Sequence, residues 1–498
     1  MEATTPLLGV RPSSAAEDVR RNVLLYMFCG SYVFGTLLAV REDYTAKVLH
    51  ANDPVAVATY AVAAYYLAHA LTAPFLGKLS DGVGRKPIML LGIAMTTIVH
   101  ALVALVPRVE LFVVLFGLLG LCDSSYTMGY LMLVDTSHRP LSPGIAGWMA
   151  RHAGVSDAEG GGDDDGSLVE RRVGVLFSFC WGFGLLGSCC GVGVAVAITH
   201  FFSIRMTVGL AAGLSLFVFV RIATALPETV EPSEKDNLLL LAERAITEQA
   251  AGARLLLATP RRRVLLLVNF FQHVVAAGSI TILEYWVVFK FGFGIALQAL
   301  TIVIAILAVA GGVLVLQLGL IPLCALFSDQ EPVERAAVLL VAVCLPAWTL
   351  LGLATMPWMA LCGAVAIGSI AVFPELRALL TADLPKAQQG FVQGALASVN
   401  SLSNILGAVA MLAIFEHSAD DDTSHDSHRA RHSFFANAIW HAIIACEIVV
   451  IILLHNAPPR GDDDSASSSS SSSSPLPAKP VTASPLLDDD DTTKFQKH

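Results

Sequence analysis

Charge is scarce in this chain. Lys, Arg, Asp and Glu make up 14% of its 498 residues and hydrophobic residues 55%, against the roughly 25% charged usage of soluble globular domains. That scarcity excludes a chain that folds in water on its own, and a net charge of -10 gives nothing that favours a nucleic-acid partner. No G-x-x-x-x-G-K-[ST] loop is present, so direct drive by a nucleoside triphosphate has no support. No nucleophile motif stands in a convincing context, and an enzyme is not expected. Neither a cofactor nor a resident metal is called for. The alternation of barrel strands is missing too.

What the chain has instead is long apolar runs, with a mean hydropathy of +0.66. Runs able to cross about 30 Å of hydrocarbon at about 1.5 Å per residue recur near 22–40, 54–77, 87–107, 111–134, 172–199, 203–226, 264–289, 295–325, 336–355, 357–381, 388–415 and 433–455. Backbone amides in lipid must be satisfied within a segment, so these are read as helices. The expected fold class is an all-α membrane protein with twelve transmembrane helices. The first run follows a polar stretch and lacks a small-residue cleavage site, so it is read as a retained span. Loops, tails and adjoining span ends on the side of both termini hold 23 of the 31 Lys and Arg, and those on the opposite side hold 7. A multi-pass protein with both termini cytosolic is expected, in a membrane the sequence does not specify. All nine cysteines fall inside the spans and read as small packing residues.

The domains follow from the polar intervals. A cytosolic tail is expected over 1–21 and six helices over 22–226, interrupted by a disordered loop at 136–171 containing EGGGDDDGS. A cytosolic linker follows at 227–263, with Asp236 as a helix N-cap, then six more helices over 264–455. An acidic, serine-rich tail over 456–498 is read as disordered.

The stretch GKLSDGVGRKP, Gly77 to Pro87, resembles the loop between spans 2 and 3 of the major facilitator superfamily, G-x-L-x-D-x-x-G-R-[RK]. The positive-inside rule explains Lys78, Arg85 and Lys86, but not Asp81 and two glycines at those offsets. Pro357 to Val409, with FP and QQGFVQG, and LPETV at Leu226 to Val230 are similar to the hippocampus-abundant-transcript and tetracycline-efflux branch. The resemblance implies two six-helix bundles around one central cavity that opens alternately to each side, lined by spans 1, 4, 7 and 10. Gly77, Asp81, Gly84, Arg85 and Lys86 would form a conformational latch. The chain departs from the family in three places. SDQEPVER after span 8 keeps Asp329 and Arg335 without the glycines, span 5 has no Gly-Pro at its antiporter signature, and Ala277 stands where relatives carry an acid.

A charge at the bilayer centre costs at least about 2.5 kcal/mol, so each ionisable residue inside a span is a transport candidate. Asp123, about 12 residues into span 4, is the first of these. Thr127 and Tyr130 follow it at i+4 and i+7, on one face of a continuous helix. Two roles stay open for Asp123, proton exchange or binding a cationic part of the solute, beside a purely structural one. His69, His273 and Glu284 are further candidates, each with an ordinary packing or interfacial alternative. Glu375 and Arg377 form an inner gate pair or mark the membrane boundary. Gly187 and Gly191, with Asn400 and Asn404, are read as helix-packing residues. Glu447 sits in span 12, a peripheral place in the fold, and has no assigned role. The outer loop EHSADDDTSHDSHRARH holds His417, Asp420, His425 and other metal-ligand types at irregular spacing, so no metal site is assigned.

These readings point to a monomer whose partners are the bilayer and a small-molecule substrate. It would move a small organic solute by alternating access as a secondary transporter, with proton coupling open. A non-transporting scaffold or receptor with a transporter fold, and a metal-ion carrier, are the alternatives.

Overall fold

The computed structural model describes residues 12–137, 166–230, 243, 249–327, 332–381, 384, 386–420 and 438–458. Asp236, most of the 136–171 loop, Asp329, the loop from 421 to 437 and the tail from 459 lie outside the described residues, as do the side chains of Glu284, His417 and Asp420. Among the described residues, twelve helices are long and apolar enough to cross a membrane: α1 Ala16–Arg41, α2 Pro54–Val83, α3 Arg85–Leu105, α4 Val109–Asp135, α5 Arg172–Phe201, α6 Ile204–Ala225, α7 Pro260–Leu283, α8 Leu297–Leu326, α9 Pro332–Gly352, α10 Pro357–Thr381, α11 Gln388–Ile414 and α12 Ala438–His455. Among the described residues there is no strand. Some helices run past the spans expected for them. The first extends over Pro12–Asp43, the fifth begins at Gly166, and a short helix, Gln249–Leu256, precedes α7.

Local chemistry sets several starts. Asp53 accepts from the Ala56 amide at 2.9 Å with Pro54 in the first turn, and Thr259 accepts from the Arg262 amide at 3.3 Å with Pro260 in the first turn. A side-chain acceptor followed by proline satisfies amides that the helix itself leaves free.

The helices pair by one pattern used twice. α1 packs on α5, α2 on α4 and α3 on α6; then α7 packs on α11, α8 on α10 and α9 on α12. Between the sets of six, α2 lies along α11 and α5 along α8, and one contact maps onto the other when the two halves exchange. The chain therefore forms two equivalent six-helix bundles, although no sequence repeat announces them.

Three spans are not the continuous α-helices expected from their hydropathy. α4 breaks between Cys122 and Ser125, with Asp123 at φ -83°, ψ 90° and Ser124 at φ -120°, ψ 14°. In α8 the turn Leu316–Leu320 widens to a π-helix, and in α10 the stretch Ala364–Val372 tightens to a 3-10 helix. The break in α4 coincides with a division of the first bundle's core. One apolar cluster gathers Val23, Met89, Leu131 and Ile222 toward the end of the molecule that carries Asp81. A second gathers Val99, Phe112, Leu119 and Val208 toward the opposite end. In the second bundle one cluster runs through, with Trp440 between Trp286 (ring centroids 5.2 Å) and Trp348 (6.0 Å).

Gly187 and Gly191 lie where α5 touches α1. A Cβ on Gly187 would sit 2.0 Å from the Phe28 carbonyl oxygen, and one on Gly191 2.1 Å from that of Tyr32. Backbone, not a movable side chain, occupies the space. Gly187→Val is expected to cost at least the roughly 1–3 kcal/mol of an overpacked core. Thermal melts and size-exclusion profiles in detergent check this, and a wild-type Tm would count against the close packing.

Candidate functional site

A break in the middle of a membrane helix frees backbone groups, and such backbone is tolerated only where protein or a polar space replaces lipid. Here the Asp123 carboxylate fills that role. Its Oδ2 accepts from the Tyr65 hydroxyl of α2 at 2.7 Å, and its Oδ1 accepts from Ser125 Oγ at 2.6 Å. The second half of α4 starts at Ser125, so its N-terminal amides and the positive end of its dipole face the carboxylate. Tyr26 of α1 donates to Ser125 Oγ at 2.5 Å, and Tyr126 is 3.1 Å from Ser31 of α1. Hydroxyls from three helices thus surround one acid.

The one-face reading of Asp123, Thr127 and Tyr130 does not survive the break, because Asp123 lies in extended backbone and helical spacing no longer relates the three. Thr127 is buried. Tyr130 packs on Phe177 and lies under Arg377. Asp123's partners are instead Tyr65 and Ser125, which spacing along span 4 cannot reveal.

His69, one turn beyond Tyr65, stacks on its ring at 6.0 Å and meets Ser401 of α11 at 2.7 Å. This hydrogen bond crosses from one bundle to the other. His273 of α7 stacks on Phe373 of α10 at 4.1 Å, with Nδ1 2.8 Å from the Asn269 carbonyl. Asn269 donates to Asn400 of α11 at 2.5 Å, and Asn404, half-buried, makes no hydrogen bond to a described residue. Asp123, Tyr65, Tyr126, His69 and His273 are all half-buried. Their bonds run to neighbouring spans, so this partial exposure belongs to the interior of the molecule.

At the Asp81 end the charged turn is assembled as an ionic cluster. Arg85 is 2% exposed. Its Nη1 donates to Asp81 and to Ser80 Oγ, both at 2.5 Å, and its Nε lies 3.7 Å from Asp135 at the end of α4. Glu228, in the LPETV stretch after α6, accepts from the amides of Arg85 and Lys86, both at 2.9 Å, and so caps α3. Gly84 joins α2 to α3 at φ 105°, and a Cβ there would meet the Glu228 carboxylate at 2.5 Å. Gly77 faces Gly390 of α11, where a Cβ would come within 2.3 Å of the Gly390 carbonyl oxygen. A Cβ on Gly390 would in turn sit 2.2 Å from Asp81 Oδ1. The second bundle therefore covers the ionic cluster of the first. Glu228 had no assigned role in the sequence reading, although its motif stood out. In the second bundle the corresponding pair is Glu334 of α9 with Arg261 of α7, while Arg335 is exposed.

Glu375 and Arg377 engage different neighbours. Glu375 accepts from Ser178 of α5 at 2.8 Å and from Gln317 in the widened turn of α8. The guanidinium of Arg377 lies 4.3 Å from the centre of the Tyr130 ring and donates through Nε to Gln393 of α11 at 2.6 Å. Glu447, expected at the periphery, is fully buried. It accepts from Ser369 of α10 at 2.5 Å and Gln272 of α7 at 2.6 Å, because α12 packs with its carboxylate turned into the bundle. Among the described residues no group of three His, Cys, Asp or Glu could hold a metal ion.

A membrane protein of two six-helix bundles with a broken, acid-bearing span between them has the construction of a solute transporter. The Major Facilitator Superfamily model matches residues 22–155 and 166–408, and the chain belongs to that family. It is a multi-pass solute transporter and not an enzyme. It is 24% identical over 394 residues to the class C tetracycline resistance protein of Escherichia coli, covering 77% of this chain and 86% of that one. The human organic anion transporter MFSD10 (TETRAN) has a similar structure, with a TM-score of 0.59, 18% identity, and 89% and 100% of the two chains covered. The proton:xylose symporter XylE is also similar, with a TM-score of 0.61, 13% identity, and 90% and 97% covered.

Gly84→Ala is expected to destabilise the protein by roughly 1–3 kcal/mol, because its backbone conformation suits glycine and the new methyl would displace Glu228 from the α3 terminus. Tryptophan-fluorescence melts measure it. An unchanged Tm would mean that the turn adapts without loss.

Proposed function

We propose that this protein is a secondary active transporter that moves a small organic solute by alternating access, with proton movement coupled through Asp123. The observation that carries the reading is the break of α4 at Asp123, placed between two bundles that touch at both of their ends. At the Asp81 end they touch through Gly77 and Gly390, through Lys78 over the Phe391 ring, and through Glu375 with Ser178. At the opposite end Leu38 and Val192 pack on Ile302, and Arg41 lies over Tyr285. Polar groups from both bundles stay half-buried in between. Among the described residues, neither the Gly77–Gly390 approach nor the packing of Leu38 and Val192 on Ile302 is itself tied by a side-chain hydrogen bond, so either end can separate while the other holds.

The same reading sets the Asp81 end, with its basic loops, on the cytosolic side together with both termini. It makes 22–226 and 264–455 the moving bodies and 227–263 their tether. The Asp81–Arg85 pair, sealed under α11 here, would be exposed when that end opens. Among similar structures a proton:xylose symporter and an organic anion transporter use this fold, which agrees with a solute moved together with or against protons.

In proteoliposomes, Asp123→Asn is expected to abolish solute accumulation driven by a pH gradient while solute exchange without a gradient persists. Ser125 can still donate to the amide oxygen, and the Tyr65 hydroxyl can accept from the amide nitrogen where it now donates, so the variant should fold. An unchanged rate and pH dependence would remove Asp123 from the mechanism.

A further inference from the structure

Arg377 stands where six spans converge. It belongs to α10, it lies over Tyr130 of α4, and its Nε–H is taken by Gln393 of α11. His69 of α2, Cys180 of α5 and His273 of α7 lie within electrostatic reach of its guanidinium. Those spans come from both bundles, so the residue is on the axis between them.

Two contacts hold the guanidinium. Tyr130 fixes its plane. Gln393, itself fully buried, is anchored by donating to Thr381 Oγ1 at 3.0 Å and so fixes its rotation. Nη1 and Nη2 donate to no described residue, and the side chain as a whole is half-buried. Glu375, two residues away, is turned to Ser178 and Gln317, and Asp123 to Tyr65 and Ser125.

A cation removed from water without an anion costs several kcal/mol. A guanidinium fixed in plane with both terminal nitrogens unused is one half of a bidentate pair, the geometry that matches a carboxylate. We propose that Arg377 is the substrate-recognition residue of the central site and that the solute is an organic monoanion bound through a planar carboxylate. Two features narrow the class. Asp123 lies on the span that carries Tyr130, seven residues before it, so a second negative group on the solute would approach that carboxylate. Stacked ring pairs lie on the neighbouring spans, Tyr65 on His69 and His273 on Phe373, which suit an aromatic body.

The inference rests on the transport reading of the central site, but its test does not require transport. The purified full-length protein in detergent is melted with 1-naphthoate, with the neutral 1-naphthamide and with the cationic 1-naphthylmethylamine. The carboxylate alone is expected to raise Tm in a dose-dependent way. Arg377→Gln should lose that shift. Arg377→Lys, which keeps the charge but not the fork, should weaken the apparent affinity on the order of tenfold. Gln393→Leu, which leaves the guanidinium intact and unsteadied, should weaken it in the same direction. Size-exclusion profiles confirm that each variant is folded. The proposal is overturned if the amine stabilises and the carboxylate does not, if the shift persists in Arg377→Gln, or if the carboxylate gives no shift in the wild type. If binding follows the expected pattern and proteoliposomes accumulate nothing, the transport reading falls and the anion site stands.

Discussion

The hydrogen bonds from Tyr65 and Ser125 to Asp123 hold together the part of the molecule that hydropathy alone would forbid. A carboxylate near the middle of a span, beside unpaired backbone, would be expelled from hydrocarbon. Two short bonds from hydroxyls and the start of a half-helix replace the water it would otherwise need. Because those donors come from α2 and from beyond the break, α4 cannot straighten without stranding the acid. The division of the first bundle's core into two apolar clusters follows from the same requirement, since a polar layer must run between them.

Beyond that layer, the two bundles are joined by contacts of a different kind from those that build each one. Within each bundle the contacts are large apolar clusters and backbone-to-backbone approaches such as Gly187 on Phe28. Between bundles the main seam is α2 against α11, where Gly77 meets Gly390, His69 bonds Ser401 and Ser398 donates to the Ala70 carbonyl at 2.5 Å, while Ser178 of α5 donates to Glu375 of α10 and accepts from Gln317 of α8. Association of helices in lipid depends on packing and polar bonds instead of hydrophobic burial.

Much of this was legible in the sequence and some was not, for identifiable reasons. Twelve apolar runs translate directly into twelve spans because backbone satisfaction leaves no alternative at that length. The charged turn was legible because Gly77, Asp81, Gly84 and Arg85 stand at offsets that general basicity of loops does not require. The break at Asp123 was not, since Cys122-Asp123-Ser124 contains neither glycine nor proline and the donor that stabilises it, Tyr65, is far away in the chain. Helical periodicity was therefore carried through a point where the helix stops. Glu447 had no assigned role for a related reason. Its span is apolar on every side, so no stripe distinguishes the lipid face from the core face, and only the packing against Ser369 and Gln272 shows which way it points.

The irregular segments share one chemistry. At the break in α4 Asp123 takes bonds from Tyr65 and Ser125. In the widened turn of α8 Gln317 reaches Ser178 and Glu375, and in the tightened stretch of α10 Ser369 reaches Glu447. In each, backbone that departs from the α-helix sits beside a polar side chain tied to another span, as expected where local hydrogen bonding has been given up. For α10 the geometry has a reach of its own. A 3-10 helix rises about 2.0 Å per residue against about 1.5 Å, so the nine residues Ala364–Val372 lengthen the span by roughly 4–5 Å over a regular helix. The turn that follows, carrying Glu375 and Arg377, is thereby set in depth and rotation. One side chain meets α5 and α8, and the other meets α4 and α11. Glu447 holds Ser369 inside that stretch, eight residues before Arg377.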